Sequence, residues 1–288
     1  YRYYRPRRFA DVIGQEHIMS TLRNQVKNGH ISHAYLFCGT RGTGKTSTAQ
    51  ILGRAVNCLS SEEGEPCGPC AICALDNNPA VWEIDAASNN GVDQIRDLRD
   101  KVRFAPLESR YKVYIIDEVH MLSDGAFNAL LKTLEEPPPH AIFILATTEP
   151  QKLPATILSR CQRFDFHRIE TESIQALLAS VLEDQNISYE EAALRKIALL
   201  ADGGMRDALS MLDQCVAFSG DQLDYAKVLD ILGNVDDAML RELSQAIFHG
   251  QGASVLEIVS RAMEGGRDVA VLARDLMAYV RSLLLVQI

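Results

Sequence analysis

Ala34-Tyr35-Leu36-Phe37-Cys38 runs directly into Gly39-Thr40-Arg41-Gly42-Thr43-Gly44-Lys45-Thr46, and the residues that follow put Ile51, Leu52, Ala55 and Val56 on one helical face. The eight residues from Gly39 match the phosphate-loop (Walker A) pattern in full. They also sit where that pattern has physical meaning, after an apolar strand and at the opening of a helix. A glycine-rich turn of no function is the alternative reading, and the strand and helix on either side argue against it. Glycines allow successive backbone N–H groups to wrap phosphate oxygens, and the helix N-terminus adds positive dipole. In such a loop Lys45 meets the β- and γ-phosphates and the Thr46 hydroxyl reaches Mg²⁺. The stretch Gly39 to Ser47 is therefore expected to hold ATP and Mg²⁺.

Working outward, further short β-rich runs occur at Val81 to Ile84, Val113 to Ile116, Ala141 to Ala146 and Phe164 to Phe166, separated by amphipathic stretches. This alternation predicts a parallel α/β sheet flanked by helices. Between the third and fourth runs, Phe127, Leu130, Leu131 and Leu134 keep helical spacing after a cap at Ser123, and Pro137 to Pro139 stop the helix. Val113-Tyr114-Ile115-Ile116 leads straight into Asp117-Glu118, so two carboxylates leave a buried strand at its C-terminal edge, where open α/β sheets bind ligands. Such a pair is often a solvated turn, but a phosphate loop upstream makes it a Walker B arrangement. Asp117 would then hold Mg²⁺ through water, and Glu118 would polarise the attacking water.

After about Ile169 the strand signals give way to helical patterns such as Ile174, Leu177, Leu178 and Val181, then Ala208, Leu209, Leu212 and Cys215. Ser188 with Glu191 reads as a capping box, and Gly203-Gly204 as a helix stop before Met205 to Phe218. Three parts are expected: a nucleotide-binding domain over 1–169, a small helical lid over 170–233, and part of a further helical domain over 234–288.

Four of the seven cysteines, Cys58, Cys67, Cys70 and Cys73, crowd into one segment with eight, two and two intervening residues. Gly64, Pro66, Gly68 and Pro69 supply turns that let the thiols converge. Tetrahedral zinc suits such a set, in a closed site with no position left for catalytic water. Free cysteines or an iron–sulfur site remain open on spacing alone. The 288 residues are 47% hydrophobic and 23% charged, a globular composition. The net charge of −9 excludes a generally basic nucleic-acid binder, so any DNA contact must be local. No apolar run approaches the ~20 residues of a membrane helix, and no basic-then-apolar leader opens the chain. The expectation is a cytoplasmic protein without membrane contact.

Asp-Glu-Val-His at 117 to 120, Ala-Thr-Thr-Glu-Pro at 146 to 150, Ser-Arg-Cys at 159 to 161 and Gly-Gly-Met-Arg-Asp-Ala-Leu at 203 to 209 together resemble the AAA+ clamp-loader ATPases, specifically the bacterial DNA polymerase III gamma/tau type. The likeness extends to Tyr4-Arg5-Pro6, to Val12-Ile13-Gly14-Gln15 and to Phe127 through Glu136. It implies an AAA+ sheet with a structural zinc module at 58–73, a helical lid and part of a helical collar. It implies Thr148 as a first sensor of the γ-phosphate, Arg206 as a second sensor reaching from the lid, and Arg160 as an arginine finger acting in a neighbouring subunit. Arg5, Pro6, Val12 and Ile13 match the family's adenine-side wall. Implied partners are other clamp-loader subunits in a hetero-oligomer, the sliding clamp and primer-template DNA. The stretch from Cys73 to Glu83 is a few residues shorter than the resemblance implies, and Ile288 falls inside the collar.

Three other readings compete. A scaffold that no longer hydrolyses ATP would lack Lys45, Thr46 or Glu118. A Holliday-junction motor would lack the four-cysteine insert and the Ser-Arg-Cys triplet, and a small-molecule P-loop kinase would have no use for Arg160 and a lid. For DNA, the Ala87 to Gly91 loop with Arg96, Arg99, Lys101 and Arg103 is the candidate, against a solvated helical face.

Overall fold

A computed structural model describes residues 4–75, 78–106, 109–232, 237–265 and 268–286. The expected boundary at Asn234, the Ile288 terminus, and Asp76 and Asn77 within the short Cys73 to Glu83 stretch lie outside the described residues. The chain divides into two compact units, 1–177 with 198–210, and 178–197 with 211–288.

In the first unit, strands β1 (Ala34–Gly39), β2 (Val81–Asp85), β3 (Lys112–Asp117), β4 (Ala141–Thr147) and β5 (Gln162–Phe166) form one parallel sheet in the order β2-β3-β4-β1-β5. All five expected strands are present. β4 is buried along its whole length and β1 along all but its last residue, because helices cover both faces of a parallel sheet and leave no side free to be polar. Alternation divides the core. Ala34, Leu36 and Cys38 pack with Tyr114, Ile116, Phe143 and Leu145 under α3 (Val92–Val102) and α4 (Asp124–Glu135). Tyr35 and Phe37 pack with Ile115, Ile144 and Phe164 under α1 (Glu16–Asn28) and α2 (Lys45–Ala55). The Ser123 side chain accepts the Ala126 N–H at the start of α4, the cap that the sequence indicates.

A short helix α5 (Ala155–Leu158) precedes β5. Helices α6 (Thr171–Asp184), α7 (Glu191–Leu200), α8 (Met205–Ser219), α9 (Tyr225–Leu232), α10 (Asp237–Phe248), α11 (Gly252–Glu264) and α12 (Val269–Val286) follow. In the second unit Leu240, Leu243 and Ala246 of α10 pack on Ile258, Ala262 and Leu272 from α11 and α12. Two details differ from expectation. Strand structure does not end at Ile169, because Ser188–Tyr189 (β6) pairs in parallel with Gln222–Leu223 (β7). Two-residue strands carry no periodicity and form only when the chain brings them together. Ser188 lies in that ladder and not in a capping box, its N–H donating to Asp221 O. Among the described residues no helix is long and apolar enough to cross a membrane.

Candidate functional site

The phosphate loop links β1 to α2. Gly39 has φ +148°, and a Cβ there would come within 2.4 Å of Phe166 O, so backbone packing against β5 leaves room for glycine alone. Lys45 is buried, 6% exposed, with its ammonium donating to Gly39 O and Thr40 O at 2.8 Å each. Burial pulls its pKa down, and the carboxylates of Glu118 and Asp117 resist that shift. The Thr43 hydroxyl closes the loop onto Thr40 O at 2.9 Å.

The sheet brings the second half of the site alongside. β3 ends at Asp117, whose Oδ2 accepts the Thr46 hydroxyl at 2.7 Å and whose Oδ1 accepts the Glu118 N–H at 2.9 Å. A hydroxyl and a carboxylate in direct contact at a helix N-terminus form a hard oxygen donor set, which suits Mg²⁺. Glu118 is in the left-handed region at φ +46°, a conformation that costs a non-glycine residue on the order of 1–3 kcal/mol and that clusters at functional sites. That turn aims its carboxylate at β4, where Oε2 accepts the Thr148 hydroxyl at 3.0 Å and the Thr148 N–H at 3.4 Å.

Sequence reasoning missed the group behind this pair. His120 has a side chain only 6% exposed, with Nδ1 at 2.9 Å from Thr147 Oγ1 and 3.4 Å from Glu118 Oε2, and Nε2 at 3.4 Å from Glu149 Oε1. Its place two residues beyond Glu118 was the available signal. Gln15, fully buried, was missed too. Its amide donates to His167 O at 2.7 Å and accepts the His167 N–H at 3.2 Å, fixing the segment that carries Val12 and Ile13. Val12 is buried and lies over the phosphate loop, 3.6 Å from where a Gly44 Cβ would be. Arg5 Nε donates to Ser47 Oγ at 3.3 Å, so this arginine and the neighbouring Pro6 stand at the loop's edge.

Arg206 is the second residue of α8, whose first residue, Met205, donates its N–H to Gly42 O at 3.0 Å, so the arginine's helix starts on the phosphate loop itself. Arg160 lies elsewhere. It precedes β5, and Gly39 pairs with Phe166 at the far end of that strand, so the four rises from Gln162 to Phe166 alone, roughly 13 Å at ~3.3 Å each, lie between it and its own loop. Its guanidinium donates to Glu135 Oε1 at 2.7 Å and to Thr156 O at 2.8 Å. The basic residues of α3 are taken up locally: Arg96 with Asp93 at 3.2 Å, Arg99 with Asp100 at 3.3 Å, and Lys101 over the Trp82 ring.

The Sγ atoms of Cys58, Cys67, Cys70 and Cys73 lie within 4.8 Å of one another. Four sulfurs about 2.3 Å from a tetrahedral ion would stand about 3.8 Å apart, so the cluster fits a metal with little movement. Burial raises the Cys70 thiol, but N–H groups of Leu59 and Cys73 outweigh it and bring its pKa to about 6. These thiols are unpaired.

Three family models match in succession: "DNA polymerase III, delta subunit" over 14–170, "DNA polymerase III clamp loader subunit, ATPase lid domain" over 173–221, and "DNA polymerase III subunits gamma and tau domain III" over 223–288. The chain is 54% identical to the DNA polymerase III subunit tau of Bacillus subtilis over 99% of its own length and 51% of that protein. It is 44% identical to the Escherichia coli subunit tau over 100% of itself and 45% of that protein. With the subunit gamma of Buchnera aphidicola it shares 40% identity over 90% of itself and 73% of that protein. The chain thus spans about half the length of the tau relatives. Among solved structures, the Thermotoga maritima RuvB Holliday junction branch migration motor superposes with a TM-score of 0.61 over 97% of this chain and 91% of that one. At 17% identity that likeness concerns the AAA+ fold alone. The succession of models along the chain and its identity to gamma and tau proteins over 90% or more of its own length place it by descent: the chain belongs to the DNA polymerase III gamma/tau family of clamp-loader subunits.

Proposed function

We propose that this chain is an ATP-hydrolysing motor subunit of the bacterial sliding-clamp loader, in which ATP binding drives clamp opening and grip on primer-template DNA, and hydrolysis releases the closed clamp. The observation that carries the proposal is the juxtaposition at one sheet edge of Thr46 with Asp117 and of Glu118 with Thr148. A scaffold that only bound nucleotide would have no need of a carboxylate held at the γ-phosphate end of the loop.

In this reading backbone N–H groups of Gly39 to Ser47 cradle the phosphates, and Lys45 meets the β- and γ-oxygens. Thr46, and Asp117 through water, would hold Mg²⁺, which would supply charge neutralisation at the phosphates. Glu118 orients a water for in-line attack and takes its proton, while Thr148 keeps the carboxylate facing the γ-position. Arg206 senses nucleotide from the lid, and Arg5, Pro6, Val12 and Ile13 wall the base. The parts 1–169, 170–233 and 234–288 serve as motor, lid and partial collar; the first boundary agrees with the change of family model between 170 and 173, whereas the second change falls earlier, between 221 and 223. Partners are other clamp-loader subunits, the clamp and DNA in a cytoplasmic hetero-oligomer. The deciding experiment is ATP turnover by a loader reconstituted with this chain, with and without clamp and primed DNA. Turnover that ignores both would overturn the assignment.

Lys45→Ala should weaken equilibrium binding of Mg·ATP by two orders of magnitude or more, since a charge-assisted contact to phosphate is lost from a buried position. Titration with a fluorescent ATP analogue measures it, and unchanged affinity would remove Lys45 from phosphate binding.

The four-cysteine cluster is proposed to hold one structural zinc. Elemental analysis should find one zinc per chain, and Cys70→Ser should lose most of it. Structural zinc contributes about 10 to 16 kcal/mol of apparent binding energy in small finger peptides, so removal should unfold the insert locally and leave the phosphate loop able to bind phosphates. Full zinc retention by Cys70→Ser would refute the ligand set.

A further inference from the structure

Between Cys58 and Cys67 the chain makes a tight excursion, with Glu62 bridging Glu65 and the Ser61 hydroxyl donating to Glu65 O at 3.0 Å. This loop belongs to the metal-ligating insert, yet it reaches into the nucleotide-binding core. Gly64 has φ +83°, and a Cβ there would come within 2.2 Å of Arg23 O, so the loop is pressed against α1. Lys27 of the same helix pairs with Glu63.

The residue at the centre of this contact is Glu65, a carboxylate only 5% exposed. A buried acid must be compensated. Here its Oε2 accepts the Phe9 N–H at 2.8 Å and its Oε1 the Ala10 N–H at 3.1 Å, with Arg23 Nη1 3.9 Å from Oε1. Phe9 and Ala10 open the 3-10 turn Phe9–Asp11, so their N–H groups are the donors such a turn leaves unsatisfied. Val12 follows the turn directly, its N–H closing on Phe9 O at 3.2 Å, and lies over Gly44 of the phosphate loop. The segment is thus pinned at two ends, by Gln15 to His167 and by Glu65 to Phe9 and Ala10.

We infer that Glu65 is a positioning residue for nucleotide: through it, the metal-held insert fixes the Phe9–Asp11 turn and so the Val12–Ile13 wall, which ties base binding to the filled four-thiolate site. The inference rests on the proposed function, in which Val12 and Ile13 face the base. It separates two parts of nucleotide recognition. Phosphates are gripped by Gly39 to Ser47, which Glu65 does not touch, whereas the base is received by a segment that Glu65 holds.

The test compares Mg·ADP with Mg·tripolyphosphate, which has no base, on the unmutated chain, on Glu65→Ala and on Glu65→Gln, with zinc content and thermal midpoint recorded for each. Glu65→Ala should bind ADP on the order of tenfold more weakly, about 1.4 kcal/mol, with tripolyphosphate affinity and zinc content unchanged. Glu65→Gln, which keeps a carbonyl acceptor, should recover part of the loss. Stripping zinc from the unmutated chain should reproduce the pattern of Glu65→Ala. Unchanged ADP affinity in Glu65→Ala or in the stripped chain would overturn the inference. So would parallel loss of ADP and tripolyphosphate, which means general unfolding, or loss of zinc from Glu65→Ala, which means that Glu65 supports the thiolate site and not the base wall. If the unmutated chain binds no ADP at all, the proposed function fails instead.

Discussion

In a loader assembled with its partner subunits, Arg160→Ala should lower clamp- and DNA-stimulated ATP turnover by roughly 10³ to 10⁵, about 4 to 7 kcal/mol of transition-state stabilisation. The expectation follows from position. Arg160 stands before the first residue of β5, with the length of that strand between it and the Gly39 level, so it cannot reach its own phosphate loop. Its partners, Glu135 and the Thr156 carbonyl, hold it half-exposed, and an exposed ion pair of that kind is worth at most about 1 kcal/mol. The two roles therefore predict effects that differ by several kcal/mol in different assays. A trans-acting finger leaves the isolated chain's ATP affinity and stability untouched and abolishes turnover only in the assembly. If the substituted loader hydrolyses ATP at the unmutated rate on primed DNA, Arg160 is a surface residue paired with Glu135 and nothing more.

Glu118→Gln should keep Mg·ATP affinity within a factor of about two while cutting turnover by 10² to 10⁴, about 3 to 5 kcal/mol. The amide preserves size and can still accept the Thr148 hydroxyl, so the pairing at 3.0 Å survives. It removes the basic oxygen that takes a proton from water. Asp117 and Thr46 remain in contact, and Lys45 remains in the loop, so the phosphates and Mg²⁺ keep their ligands. Single-turnover hydrolysis measured beside equilibrium binding separates the two effects, and turnover within threefold of the unmutated protein would remove Glu118 from water activation.

The behaviour of Glu118 also shows where local sequence stops being informative. Its identity as the second acid of a strand-end pair is legible from Val113 to Glu118 alone, because a buried strand needs apolar residues and its polar exit is then conspicuous. Its left-handed backbone and its contact with Thr148 are not legible, since they join residues 30 apart that meet only once β3 and β4 lie side by side.

What the sequence determined by itself was whatever a contiguous segment can encode. The phosphate loop, the five strands, the Ser123 cap and the cysteine spacing each depend on residues within a few positions of one another. The tertiary structure alone decided what depends on partners distant in sequence. Arg160 is kept out of its own site by the parallel register of β1 and β5. Gln15 and Glu65 become site-supporting residues because burial forces each polar side chain to find partners, 152 and 55 to 56 residues away respectively. An exposed Glu or Gln reads the same in a sequence as a buried one, and only packing, by removing water from around it, turns it into a fixed point of the fold.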